Sequence, residues 1–512
     1  MRRKTKAGED VDMLARPGAL ISVVYTTLAE ACEDIRTLYV LLVLSFLDVT
    51  TPSSVKATFL EQHRDAFTSI FKGLSQDPYA VVRRVLEVCW SGLWADPKLK
   101  RTLKIQVFSE VTLSQVRLQC YSASNPYLMK PHRKLMKLYE RNTPEGEDAE
   151  AIPADVVHHF LLALCSHPGV GLCFHDRGWY PRETDSDQHV PADTDERTPH
   201  DAGSSKGSKV HNKILANVLK TLKVNEDPRQ QELALKIFAA CPELVAGYWP
   251  GAGLALEPRL SSKWLANVAF FGAVVSLPVP TASFVLPESG SGRTSLYQPS
   301  PPPLSSIVEN IVPTSHIKTH LSRGLQAPSP LVQHASALAL AKCLLKYERV
   351  VNAFREVERA LEEDEEDGLW GRRRREVERE VRKRVPDFQV IVGFSQRLND
   401  PSVSSTIKEG KEKQKEVAPN PTRTALLAES AHRLLWLYHR LLPSVVAEAR
   451  FDAGKLLQAI EDMLSQGATS NSTCGLDTLR QLHVLRLLQE SEQFTWSGKS
   501  GMLYLHTLST QI

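Results

Sequence analysis

Cysteine is scarce in this chain. Its 512 residues hold eight, at 32, 89, 120, 165, 173, 241, 343 and 474, and none forms a Cys-x-x-Cys pair. That is far too sparse for a disulfide scaffold, so reduced intracellular thiols are expected. Charge imbalance is equally scarce. A net charge of +3 gives a weak global field, and any nucleic-acid contact has to come from a local patch. An apolar leader is lacking as well. The opening MRRKTKAGEDVDM runs from basic to acidic without the apolar core of a signal peptide.

Long hydrophobic runs are short of what a membrane requires. The stretch KWLANVAFFGAVVSLPVPTASFVLPE, residues 263 to 288, carries no charge between its end residues. Its helix-compatible part runs only from Trp264 to Leu277 before Pro278 and Pro280 stop it. A spanning helix needs roughly 20 predominantly apolar residues. A second run, Leu38 to Leu47, is shorter and is flanked by Glu33, Asp34, Arg36 and Asp48. Both are expected to be helices buried in protein.

Catalytic spacings are missing too. Gly498-Lys499-Ser500 lacks the glycine five residues earlier that a phosphate loop uses, since Gln493 stands there. Gly251 and Gly253 have neither a third glycine nor a preceding strand. No enzyme and no cofactor are expected. The one metal candidate is HHFLLALCSHPGVGLCFHD, in which Cys165, His167, Cys173 and His175 form two Cys-x-His pairs. Both ligand types suit zinc, but the spacing is tighter than in zinc-finger pairs, and buried cysteine is the commoner outcome.

What is present is helical periodicity. With 42% hydrophobic and 24% charged residues the composition is ordinary, and the length exceeds one compact core. Three segments share a proline-containing turn followed by an amphipathic helix: GLSQDPYAVVRRVLEVCW from 73, NEDPRQQELALKIFAACPEL from 225 and GLQAPSPLVQHASALALAKCLLKY from 324. In the first, Arg83, Arg84 and Glu87 share one side of the wheel while Val81, Val82, Val85, Leu86, Val88 and Cys89 take the other. These segments resemble HEAT-type repeats. An all-α fold is expected, a HEAT/armadillo-like α-solenoid with long disordered loops. The expected division is helical repeats over 1–175, a disordered loop over 176–210, repeats over 211–286, a Pro/Ser/Gly linker over 287–306, repeats with a charged tract over 307–398, a disordered loop over 399–424, and C-terminal helices over 425–512.

The charged tract is the strongest local signal. EVERALEEDEED, residues 356 to 367, has eight carboxylates, and RRRREVEREVRKR, residues 372 to 384, has eight basic residues against three acidic ones. Arg372, Arg373, Arg374, Arg375, Arg382, Lys383 and Arg384 are candidates for RNA-phosphate contact or a nuclear import signal. A solvated helical hairpin whose halves pair with each other is the competing expectation.

LSSKWLANVAFFGAVVSLPVP, GLQAPSPLVQHASALALAKCL and EVRKRVPDFQVIV resemble the N-terminal region of the nucleolar pre-ribosomal-associated protein 1 family, the Urb/Npa-type scaffolds of large-subunit assembly. LLVLSFLD, YAVVRRVLEVCWSGLWADPKLKRTLKIQVFSE and GVGLCFHDRGWYPR follow the same order. The resemblance implies a non-enzymatic protein of the nucleolus and nucleus, acting in early 60S subunit assembly and pre-rRNA processing. It implies as partners other early 60S assembly factors, among them a related large helical protein and a DEAD-box helicase, with pre-rRNA close by. It also implies that the chain is the N-terminal portion of a longer protein. A generic α-solenoid adaptor, or a nuclear transport-type protein-binding scaffold, is the alternative.

Overall fold

Proline opens helix after helix. Its fixed φ suits a first turn, and the N–H it lacks would have no helical partner there. The computed structural model describes residues 35–111, 135–145, 151–169, 171–180, 213–286, 297–313, 316–364, 368–399, 421–449, 451, 456 and 474–491. Among these the chain is all-α, apart from one isolated bridge between Val285 and Tyr297. It divides into two compact units, the first holding residues up to 175 together with 212–221, the second holding the remainder.

In the first unit, α1 (residues 35–45) leads to α2 (Ser53–Gln62), α3 (Arg64–Ile70) and α4 (Tyr79–Val88). A π-helical turn, Cys89–Trp94, continues α4, followed by α5 (Arg101–Val111), α6 (Pro153–Ser166) and α7 (Lys213–Thr221). Val82, Val85, Leu86 and Val88 of α4 are buried as its periodicity predicts, Val81 is only half-buried, and Arg83 pairs with Glu87 at 2.7 Å on the solvent side. Phe67, Trp94 and Phe160 gather around Phe108, with Trp94 at 5.2 Å and Phe67 at 5.8 Å between ring centres. The π turn was not legible in the sequence. It is fastened by two buried lysines: Lys56 donates to the Gly92 carbonyl at 2.8 Å, and Lys104 to the carbonyls of Trp94 and Asp96 at 3.1 and 2.5 Å. The expectation of a wholly buried helix over 38–47 is corrected. Val40, Val43, Leu44 and Leu47 are buried, whereas Leu38 and Leu42 face solvent at 67% and 59% exposure.

The second unit runs through α8 (Pro228–Ala240), α9 (Leu244–Tyr248), α10 (Ser262–Val275), α11 (Leu304–Ile311) and α12 (Ile317–Leu325). It continues with α13 (Pro330–Ala360), α14 (Leu369–Arg384), α15 (Phe388–Asn399), α16 (Pro421–Leu441), α17 (Pro443–Ala447) and α18 (Cys474–Glu490). Helices α8, α10, α13, α16 and α18 pack each on the next, while α9, α11 and α14 make a second row of neighbours. The uncharged stretch over 263–288 supplies α10, capped by Ser261, whose hydroxyl accepts from the Trp264 amide at 3.2 Å. Its polar residue, Asn267, is buried but satisfied: it donates to the Ala255 carbonyl at 3.1 Å and accepts from Asn225 at 3.0 Å. No helix among the described residues is long and apolar enough to cross a membrane.

Of the expected loop over 176–210, residues 176–180 are described, and there Trp179 is buried with its amide donating to the Ser283 hydroxyl at 2.9 Å. The expected linker over 287–306 already contains the start of α11 at Leu304, and the expected loop over 399–424 contains the start of α16 at Pro421. The other residues of these three stretches, apart from 297–306 and Asn399, lie outside the described ones, as does the Gly498-Lys499-Ser500 segment.

Candidate functional site

The charged tract folds as a tight hairpin between α13 and α14. Helix α13 ends at Ala360, and Glu362 takes a left-handed turn at φ 50°. Glu363 then reaches across the turn, its carboxylate accepting from the Trp370 amide at 2.9 Å and the Gly371 amide at 3.3 Å. An anionic group there satisfies open amides and complements the helix dipole at the start of α14. Gly368 is needed at this corner, because a side chain would meet the Glu363 carboxylate at 2.5 Å and the Asp364 carbonyl at 2.7 Å. Trp370 anchors the helix. It is fully buried against Phe354 and Phe284, and its indole donates to the Gln298 carbonyl at 3.2 Å.

Burial of Trp370, Val377 and Val381 fixes which side of α14 faces inward, and so sorts the basic residues. Arg374 pairs with Glu358 of α13 at 2.7 Å. Arg384 pairs with Glu309 of α11 at 2.6 Å and donates to the Val312 carbonyl at 3.1 Å. Arg373 leans on Glu376 at 3.3 Å, Lys383 on Glu380 at 2.6 Å, and Arg382 on Glu448 at the surface. Arg372, Arg375, Arg379, Arg382 and Lys383 are exposed. Arg379 was absent from the sequence-based candidates. Counting clusters of adjacent basic residues overlooks it, whereas helical spacing from Arg372 and Arg375 would have found it.

The second sequence candidate, Cys165, His167, Cys173 and His175, lies at the end of α6 and in the loop beyond. Cys165 and Cys173 are buried, and the Cys173 thiol donates to the Cys165 carbonyl. His167 Nδ1 donates to the Ala163 carbonyl at 3.1 Å, and the His175 ring lies over Gly169. Arg101 ties the loop down through the carbonyls of Gly171 and Cys173. Among the described residues no three His, Cys, Asp or Glu side chains stand together in a way that could hold a metal.

A buried polar cluster between α16 and α18 was not anticipated. His483 Nε2 lies 3.1 Å from Glu429, and the His483 ring stacks on Trp436 at 5.5 Å. Burial, with Arg480 nearby, holds His432 down to about 4, while its Nδ1 donates to the Ala428 carbonyl at 2.7 Å. A cavity of about 1080 Å³ opens beside Ser53, Ser54 and Lys98. Its buried cation, Lys56, is spent on the Gly92 carbonyl and on Asp96 at 3.3 Å.

Residues 22–267 match the family Npa1, described as ribosome 60S biogenesis N-terminal. The chain is 22% identical to nucleolar pre-ribosomal-associated protein 1 of Mus musculus over 497 residues, covering 93% of this chain and 19% of that protein. It is 22% identical to the Homo sapiens protein of the same name over 90% of this chain, and 21% identical to that of Saccharomyces cerevisiae over 66%. The chain thus spans about a fifth of the length of the relatives it matches. Among solved structures, an engineered protein aligns with 90% of this chain at 13% identity and a TM-score of 0.25, too low a likeness to bear on the fold. Residues 22–267 are therefore similar to the Npa1 family, described as ribosome 60S biogenesis N-terminal, and most of the chain is similar to proteins named nucleolar pre-ribosomal-associated protein 1.

Proposed function

We propose that this chain is a non-enzymatic scaffold of early large-subunit assembly, working in the nucleolus on pre-ribosomal particles and in pre-rRNA processing. The observation that carries the reading is the family match over residues 22–267, extended by relatives named as nucleolar and pre-ribosomal-associated along most of the chain. The chemistry of the described side chains is consistent with it. The buried lysines close backbone turns, and Glu363 caps a helix.

The helices are the repeats of an α-solenoid of HEAT/armadillo type. In the second unit, stacking of α8, α10, α13, α16 and α18 each on the next is the neighbour-to-neighbour packing such repeats use. Its partners are other early 60S assembly factors, including a related large helical protein and a DEAD-box helicase, with pre-rRNA alongside. Sedimentation of tagged protein from a nucleolar extract tests the role. Migration with large-subunit precursors and recovery of precursor rRNA are expected. Recovery of import cargo without precursor rRNA would instead favour a transport-type scaffold.

A further inference from the structure

We propose that one face of α14 binds the phosphate backbone of RNA through Arg372, Arg375, Arg379 and Arg382. The choice of RNA rests on the ribosome-assembly role proposed above; the choice of residues rests on the geometry of the helix. The four arginines stand at i, i+3, i+7 and i+10, spacings that place side chains on one face. All four are exposed, and the opposite side is buried through Trp370, Val377 and Val381. At 1.5 Å per residue they form a stripe about 15 Å long. Such a row of regularly spaced cations matches a polyanion whose charges repeat along a strand.

The fold separates Arg372, Arg379 and Arg382 from the other basic residues of the tract. Arg374 and Arg384 are consumed by Glu358 and Glu309, and both pairs are largely sheltered from solvent. Arg373 is held by Glu376 and Lys383 by Glu380. Within the stripe, Arg382 meets Glu448, but both side chains are exposed, and a surface pair of that kind yields readily to a polyanion. Arg372 and Arg379 make no ion pair among the described residues. Guanidinium favours this ligand, because its planar fork meets phosphate oxygens two at a time. The acidic half of the tract does not neutralise the stripe through Glu363, whose carboxylate is spent on backbone amides.

The test is fluorescence anisotropy of labelled polyuridylate with the full chain across a salt series. Each lost single-strand phosphate contact lowers the slope of log affinity against log salt by about 0.7. The double variant Arg372→Ala/Arg379→Ala is expected to lose about 1.4 of that slope with unchanged helix content. Arg374→Ala/Arg384→Ala should keep the slope and lower the unfolding temperature, since it breaks two sheltered ion pairs. An unchanged slope in the first variant, or an equal loss in both, overturns the proposal. So does polyglutamate that displaces the RNA at equal charge, which would give the face to an acidic protein segment. Loss of nuclear accumulation with intact RNA affinity also overturns it and makes the tract an import signal. Sedimentation of the first variant with large-subunit precursors is measured separately. Failure of the stripe alone leaves that association intact, whereas failure of the assembly role abolishes it even in the unaltered chain.

Discussion

Lys346 shows how a single charge serves this fold. Its ammonium is buried and donates to the carbonyls of Leu277 and Pro278 at 2.5 and 3.2 Å, just past the end of α10. It also sits 5.8 Å from the centre of the Trp179 ring. Burial lowers its pKa to about 8, yet the carbonyls it caps would be left without a partner if it were removed. Lys346→Met should therefore cost about 1–3 kcal/mol, read as a drop in urea midpoint; an unchanged midpoint would show that water replaces the ammonium. His432 works in the opposite sense. Folding keeps it neutral, with its pKa lowered from 6.5 to about 4 by burial. The unfolded chain then takes up a proton first as pH falls, so this contribution is intact above 6.5 and is lost between 6.5 and 4. The loss amounts to about 3 kcal/mol. In pH-dependent thermal unfolding, His432→Gln should flatten the acid limb in that window, and an equally steep limb in the variant would exclude this histidine as its source.

At the level of elements, the sequence announced its helices more clearly than their ends. Proline-containing turns and periodicity announced the helices that start at Tyr79, Pro228 and Pro330, because those signals are local. The continuation of α4 into a π turn was not legible, because lysines 56 and 104 impose it from elsewhere in the chain. The charged tract was legible as a hairpin, but the division of its arginines was not. That division depends on Glu309 and Glu448, which lie far from it in sequence. The π turn has a specific requirement. A side chain on Gly92 would collide with the backbone carbonyl of Leu47, which cannot swing aside as a flexible side chain could. Gly92→Ala should destabilise the first unit by about 1–3 kcal/mol, as an overpacked site does. Chemical denaturation would show it, and wild-type stability would mean that the 44–48 turn shifts freely.

At the scale of the whole molecule, similarity and folding set different limits. The family match ends at residue 267, inside α10, whose apolar residues Phe270, Phe271, Val274 and Val275 follow and whose packing partner α13 begins at Pro330. A fragment of residues 22–267 should therefore aggregate or show reduced helix content by circular dichroism, whereas one extended through α18 should not. A soluble, fully helical 22–267 would show that the second unit does not need α13. The buried thiols have a different consequence. Cys89, Cys165 and Cys173 lie in the first unit, Cys241 and Cys343 in the second, and all five are buried. Desolvation pushes Cys89 up and Cys343 to about 12, which keeps the nucleophilic thiolate rare in the native chain. Alkylation at each position should then wait for local opening. The order in which a mass spectrometer finds these five cysteines modified becomes a built-in clock, timing the loosening of each unit separately.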